Sequence, residues 1–322
     1  MLRRQDVGHR VVVRRIIGIR GERPIFSDAL GELVDLTETD LTLATARGTL
    51  RVPLREIHRA KRVPAALRPT AAAVAALEQA ANEAWPAPVQ ERLGSWLLRS
   101  ADGWTGRANS ALPIGDPDRP LEAAIDAVCR WYGELDQPAM INVPLPLAAP
   151  VGVALDQRGW GARPLTLVQT APLPTILDAA PRRPDLRPVV LASAPSDAWL
   201  AIASGRKGGL PGAAHHLLTA VDRIRFAHVY DHDGELLAIA RGTVTGAGRW
   251  LGLVLVEVVP HARRRGLAQH LIGELARWGL ECGARDAFLQ VEERNAAAVA
   301  LYGRLGFRTH HTYLTRTAPA GT

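Results

Sequence analysis

The run VEVVPHARRRGLAQHLI, residues 256–272, places the spacing Arg263-x-x-Gly266-x-Ala268 between a β-branched stretch and an amphipathic one. A strand that feeds a small-residue turn at the start of a helix makes an anion site. The first backbone N–H groups of the helix have no partner within it, and the helix dipole favours negative charge there. Gly266 and Ala268 let a pyrophosphate come close to the backbone. Arg263, Arg264 and Arg265 can add charge-assisted contacts. The spacing is not a Walker loop, which needs GxxxxGK[ST], and it is not GxGxxG. Taken alone, it suits a plain helix cap as well as a phosphate site.

The downstream residues narrow the choice. In LQVEERNAAAVALYGRLGF, residues 289–307, a strand leads to Asn295, and Tyr302 follows two turns along the same helix. A turn at Gly306-Phe307 closes the run. VxP, RxxGxA, N-x6-Y and GF, in this order and at these spacings, resemble the GNAT superfamily of N-acyltransferases. The resemblance covers residues 185–317. It implies acetyl-CoA as cosubstrate, bound in a cleft where two parallel strands splay apart. It implies that Val256, Glu257 and Val258 lie along the pantetheine arm. The loop with Arg263, Arg264, Arg265, Gly266, Leu267, Ala268 and Gln269 would cradle the pyrophosphate, and Asn295 would hydrogen-bond the cofactor. Tyr302 would be the general acid that reprotonates the thiolate, a transfer a phenol can make. Its alternative is a core aromatic packed on the sheet.

The amine acceptor must lose a proton, so a carboxylate or a water chain is expected. Some family members carry a Glu five residues before the Asn; that position here is Gln290. Others carry it early in the strand before the loop, where this chain has Leu251-Gly252-Leu253. Glu257 is the best remaining carboxylate, with a structural role as its alternative, and Glu292 is weaker.

Three segments must position these groups. Residues 1–63 read as short strands broken at Asp28, Gly31, Asp40 and Gly48, the pattern of a small all-β domain. They resemble the SH3-like barrels found in front of certain actinobacterial GNAT proteins. A Pro/Ala linker at 65–70 leads to residues 71–172, with helices, a hairpin around Asp102-Gly103 and a strand near 139–143. A Pro-rich stretch at 173–188 reads as a second linker. Beyond it, strands at 224–230, 235–244, 250–258, 286–291 and 310–316 alternate with helices at 196–203, 213–220, 263–282 and 295–305. The fold class is α+β on a mixed sheet.

The two larger segments carry a degenerate repeat. Arg277-Trp278 and Gly306-Phe307 match Arg130-Trp131 and Gly159-Trp160 at a constant offset of 147, as Pro260 matches Pro113. In the first copy Arg263, Gly266 and Ala268 become Asp116, Arg119 and Leu121, while Asn295 and Tyr302 become Ala148 and Leu155. The arrangement resembles tandem GNAT proteins with one live and one dead domain. The first copy is expected to be a structural partner or a wall of the acceptor site.

Composition narrows the classes further. The 322 residues are 47% hydrophobic and 22% charged, as in ordinary globular proteins. No run of about 18 apolar residues exists to span a bilayer. Two distant cysteines, Cys129 and Cys282, suit a reducing compartment, so the expected location is the cytoplasm. Of the net charge of +7, residues 1–63 carry +5, from 13 Arg/Lys against 8 Asp/Glu. That basic face is a solvated surface first and a nucleic-acid dock second. Adjacent pairs His215-His216 and His310-His311 make no metal site alone, and no metal is expected. The glycine-rich 205–212 stretch is either an acceptor-side lid or a plain loop. The leading reading is an acetyl-CoA-dependent N-acetyltransferase acting on a primary amine of a small molecule or peptide. The alternative is an acyl-CoA-binding regulator that has lost catalysis.

Overall fold

In a computed structural model of the protein, residues 2–21, 23–45, 48–63, 69–207 and 210–319 are described. The chain divides into two units, Met1–Arg68 and Pro69–Thr322.

The first unit is a five-stranded antiparallel sheet. Its strands are β1 Arg10–Arg20, β2 Arg23–Leu36, β3 Asp40–Thr45, β4 Gly48–Pro53 and β5 Ile57–Arg62, in the order β4-β3-β2-β1-β5. Alternation buries one face, with Val11, Val13, Leu33, Leu41, Leu43 and Val52 as its core. The end strands β4 and β5 are joined by one 3₁₀ turn, Leu54–Glu56. So short a link bends the sheet's ends toward each other, but the backbone pairing does not run between them. The five strands, expected as an SH3-like barrel, form a wrapped antiparallel sheet that backbone pairing among the described residues does not close.

The second unit opens with helix α1, Ala71–Ala84, capped by the Thr70 hydroxyl on the Ala73 N–H at 3.2 Å. Hairpin β6 Val89–Leu93 and β7 Trp96–Ser100 follows, then α2 Leu121–Glu134, β8 Met140–Leu145, α3 Ala149–Gln157 and β9 Gly161–Ala162. Next come β10 Thr166–Pro172, α4 Leu173–Ala179, β11 Val190–Ala192, α5 Asp197–Lys207 and α6 Gly212–Thr219. The chain continues with β12 Ile224–Tyr230, β13 Leu236–Thr245, β14 Trp250–Val258 and α7 Leu267–Glu281. It closes with β15 Asp286–Glu292, α8 Ala296–Arg304 and β16 Arg308–Thr317.

Three expectations change. The hairpin expected around Asp102-Gly103 turns instead at Gly94-Ser95, between β6 and β7. The residues after Gly103 form a loop with a 3₁₀ turn, Arg107–Asn109, paired with β7 by an isolated bridge between Leu97 and Leu112. The stretch read as a linker at 173–188 begins with α4, whose Leu173 and Ile176 are fully buried in the core beside α7. The helix expected from 263 starts only at Leu267, because a 3₁₀ turn, Pro260–Ala262, and an irregular loop occupy the preceding residues. The lid reading of 205–212 includes residues 208 and 209, which lie outside the described residues.

One large sheet runs through the unit in the order β11-β12-β13-β14-β15-β10-β16-β8, with β9 beside β16. It continues across the 172–185 stretch, since β10 lies between β15 and β16 and pairs antiparallel with both. β14 and β15 run parallel. Alternation on β12 sends side chains to two cores. Ile224 and Phe226 pack with Trp199 of α5 and Leu217 of α6. Ala227 and Val229 pack with Leu271 and Leu275 of α7.

Helices α3 and α8 are both nine residues long and lie 147 residues apart. Leu155 of α3, opposite Tyr302 in that alignment, is fully buried among Val143, Val151 and Trp160.

Candidate active site

The parallel ladder holds only from Trp250–Asp286 to Leu253–Leu289, and the two strands then part. On the other side of β14, the register to β13 slips between Ile239 and Arg241. The slip is a bulge, and Leu255 within it takes a left-handed backbone, φ 54°. A buried leucine in that region is strained, and strain of this kind gathers at functional sites. The bulge kinks β14 away from β15 where the ladder ends, which opens a cleft of about 1150 Å³.

The loop at the head of α7 forms one end of the cleft. Arg263 Nε donates back to the Val258 carbonyl at 3.2 Å. Arg264 is left-handed at φ 66° and Gly266 at φ 83°. Gly266 is the N-cap and brings no side-chain cap, so the first N–H groups of α7 are left for a ligand. Left-handed residues in such a turn point successive N–H groups to one side, the geometry of an anion nest. A Cβ on Gly266 would also stand 2.7 Å from Nη1 of Arg183. Arg183, held by Asp185 through Nε at 2.7 Å, thus adds a cation to this loop that the linear motif does not contain.

Of the residues expected to form the site, Val256, Glu257, Val258, Arg263, Arg264, Gly266, Leu267, Ala268, Gln269, Asn295 and Tyr302 line this one cleft. Arg265 is exposed and does not. Gln269 spends its amide on the Ala179 carbonyl at 2.6 Å, tying α4 to the start of α7. Asn295 caps α8, its Oδ1 accepting from the Ala298 N–H at 3.3 Å. Tyr302 is buried against the α7 core, edge-on to Phe307 at 5.8 Å, and also faces the cleft. Glu257 is half-buried on β14, opposite Ile239. Glu292 is exposed and paired with Arg294 at 2.6 Å.

A second phenol also faces the cleft. The Tyr313 hydroxyl donates to Gln290 Oε1 at 3.0 Å. Burial pushes its pKa up. The remaining wall comes from the first half of the unit: Trp85, Thr105, Gly106, Arg107, Arg163 and Thr166. None of these stands in a recognisable motif, because a wall assembled from separate loops leaves no spacing in the sequence. Among the described residues no group of three or more His, Cys, Asp or Glu could hold a metal ion, and no helix is long and apolar enough to cross a membrane.

The chain is similar to known acetyltransferases. The family described as "Probable histone acetyltransferase Rv0428c C-terminal" matches residues 71–315. The protein described as "Probable histone acetyltransferase Rv0428c" of Mycobacterium tuberculosis is 32% identical over 307 residues, 90% of this chain and 89% of its own. The uncharacterized N-acetyltransferase YobR of Bacillus subtilis is 29% identical over 252 residues, 74% of this chain and 98% of its own. A GCN5-related N-acetyltransferase from Kribbella flavida shares the fold, with a TM-score of 0.59 at 18% identity over 80% of this chain and 98% of that one. The chain therefore belongs to the Rv0428c C-terminal family within the GNAT superfamily of acetyltransferases, and it is an acyltransferase.

Proposed function

We propose that the protein transfers acetyl from acetyl-CoA to a primary amine by direct attack in a ternary complex. The observation that carries this reading is the cleft itself: a splay beginning at Leu253–Leu289 and a left-handed loop at a helix N-terminus open into the same space. The loop from Arg263 to Gln269 would take the pyrophosphate, with Arg183 beside it. The parted edge of β14 at Val256, Glu257 and Val258 would pair with the pantetheine amides. Asn295, already a cap through Oδ1, retains its amide N–H groups for the cofactor.

In the reaction the amine nitrogen bonds to the thioester carbon, and backbone N–H groups of the parted strand stabilise the oxyanion. The C–S bond then breaks, the sulfur takes a proton from Tyr302, and the ammonium gives its proton to Glu257 or to water. Much of the rate would come from holding the two reactants together.

We also infer that the second unit arose by duplication. The matched helices α3 and α8 support it, as do the exchanged strands, since β10 from the first half sits against β15 and β16 sits against β8. The first copy, without the loop, Asn and Tyr, then serves as scaffold and acceptor wall.

The direct test is release of free CoA thiol from acetyl-CoA with a panel of primary amines and the purified full chain. Amine-dependent release supports the reading. No release with any amine, alongside unchanged protein stability in acetyl-CoA, overturns it.

A further inference from the structure

The two faces of the splay are chemically different. On one, Val256, Val258 and Tyr302 pack with Leu267 and Leu271 of α7, so this face belongs to the anion loop. On the other, Leu255 packs with Trp85, Trp104 and Ala108. At the bulge β14 thus sends Val254 and Leu255 to a wall made largely by the first half of the unit, and Val256 and Val258 to the side of the α7 loop.

That wall is built around a loop the protein holds in a fixed shape. Buried Asn109 accepts from the N–H groups of Ala101 and Gly103 at 2.7 and 2.9 Å. It donates to the carbonyls of Trp104 and Thr105 at 2.9 and 2.8 Å. Thr105 is left-handed at φ 67°, and its hydroxyl accepts from Trp85 Nε1 at 3.1 Å. The product of this strained turn is Arg107, half-buried and facing the cleft. Its guanidinium makes no hydrogen bond or ion pair with any described residue. Arg163, just past β9, reaches the same place: a Cβ on Gly106 would lie 2.7 Å from its Nη1.

The Tyr313 phenol and the Glu78 carboxylate act on the Arg107 charge electrostatically, but neither forms a hydrogen bond or ion pair with it. Arg99 is spent on Ser110 and Asn82, and Arg241 on three backbone carbonyls. Glu78 is spent on His311 Nε2 at 2.8 Å. A half-buried arginine without a partner is costly to keep, and a carboxylate delivered by a ligand would pair with it in a fork.

We propose that the face of the splay opposite the phosphate loop is an anion subsite, in which Arg107 and Arg163 hold a carboxylate carried by the small amine that is acetylated. This rests on the acetyl-transfer reading and adds the substrate class to it. A basic, lysine-rich peptide would meet repulsion at this face.

The test is a set of matched acceptors: amino carboxylic acids, their amides, simple alkylamines and a lysine-rich peptide. Each is assayed with acetyl-CoA for CoA release by the full chain and by Arg107→Gln and Arg163→Gln. The expected result is a preference for the acid over its amide of about tenfold or more in kcat/KM. Arg107→Gln should remove that preference by raising the acceptor KM while leaving the KM for acetyl-CoA unchanged. Arg163→Gln, at an exposed side chain that packing does not need, should weaken the preference with the melting temperature unchanged. Equal use of acid and amide, preference for the basic peptide, or a change confined to the KM for acetyl-CoA would overturn the subsite. Turnover without charge preference removes only this inference. Absence of turnover with every acceptor removes it together with the acetyl-transfer reading, and acetyl-CoA's effect on the melting temperature then shows whether the cofactor site stands.

Discussion

Leu253 and Leu289 are the last residues to face each other across the parallel ladder, and two residues further on the backbone of Leu255 turns left-handed. The bulge lies where the pairing with β15 ends, and it sends Val254 and Leu255 to one core while Leu253, Val256 and Val258 pack in the other. The cleft, the parted backbone edge and the separation of the face toward α7 from the face toward the first half of the unit all follow from that one change of register.

Replacing Tyr302 by Phe should keep the fold and remove the proposed acid. The ring stays in its edge-on contact with Phe307, so the melting temperature should hold. The kcat for amine-dependent CoA release should fall by about a hundredfold or more. An unchanged kcat would assign the proton to another donor, and the second phenol of the cleft, Tyr313, would be the next to replace.

Arg241 has a structural task. Its guanidinium donates to Ala84 O at the end of α1 at 2.9 Å and to Leu218 O and Leu217 O near the end of α6 at 2.8 and 3.2 Å. It also lies over the Trp85 ring at 5.1 Å. Helix C-termini leave carbonyls unpaired, and here a single buried cation serves two of them. Burial lowers its pKa to about 9, so it remains charged at neutral pH. Arg241→Met should orphan three carbonyls and cost about 3 kcal/mol or more. Chemical denaturation would show this; a loss under about 1 kcal/mol would contradict it.

Acid should weaken the second unit through His310. Burial, with His311 adding to it, lowers the His310 pKa from 6.5 to about 4, against the opposing pull of Glu78. In the folded state the ring therefore stays neutral between those values, while the unfolded chain binds a proton. The stability this group provides is whole above about 6.5 and is lost as the pH falls toward 4. Melting temperatures of the native chain and His310→Gln, followed from pH 7.5 to 4, should converge as the pH drops. Parallel curves would refute the coupling.

Most residues that line the far side of the cleft were legible in short motifs, because the loop at 263–269 and the helix from Asn295 to Tyr302 are each local in sequence. The α7 boundary was read four residues early: the three arginines look helical, while Gly266 and left-handed Arg264 keep the chain open. Helix α4 lay hidden in a Pro-rich stretch, where Pro174 occupies the first turn, a position that lacks an N–H partner anyway. Leu255 gives no sign of its strain, since leucine is an ordinary strand residue. The placement of β10 between β15 and β16, and of Arg107 and Arg183 against the cleft, depends on contacts between distant segments that no periodicity encodes.

The measurement that bears most directly on the account is the melting temperature of the native chain and of Gly266→Glu, each with and without saturating acetyl-CoA. A side chain at residue 266 must enter a left-handed position and displace the Arg183 guanidinium, and a carboxylate there would repel phosphate. Binding to the folded state should raise the native midpoint by about 5 °C or more, and the variant should show no rise. An equal rise in both would place the cofactor away from the 263–269 loop, and no rise in the native chain would contradict acetyl-CoA as its cosubstrate.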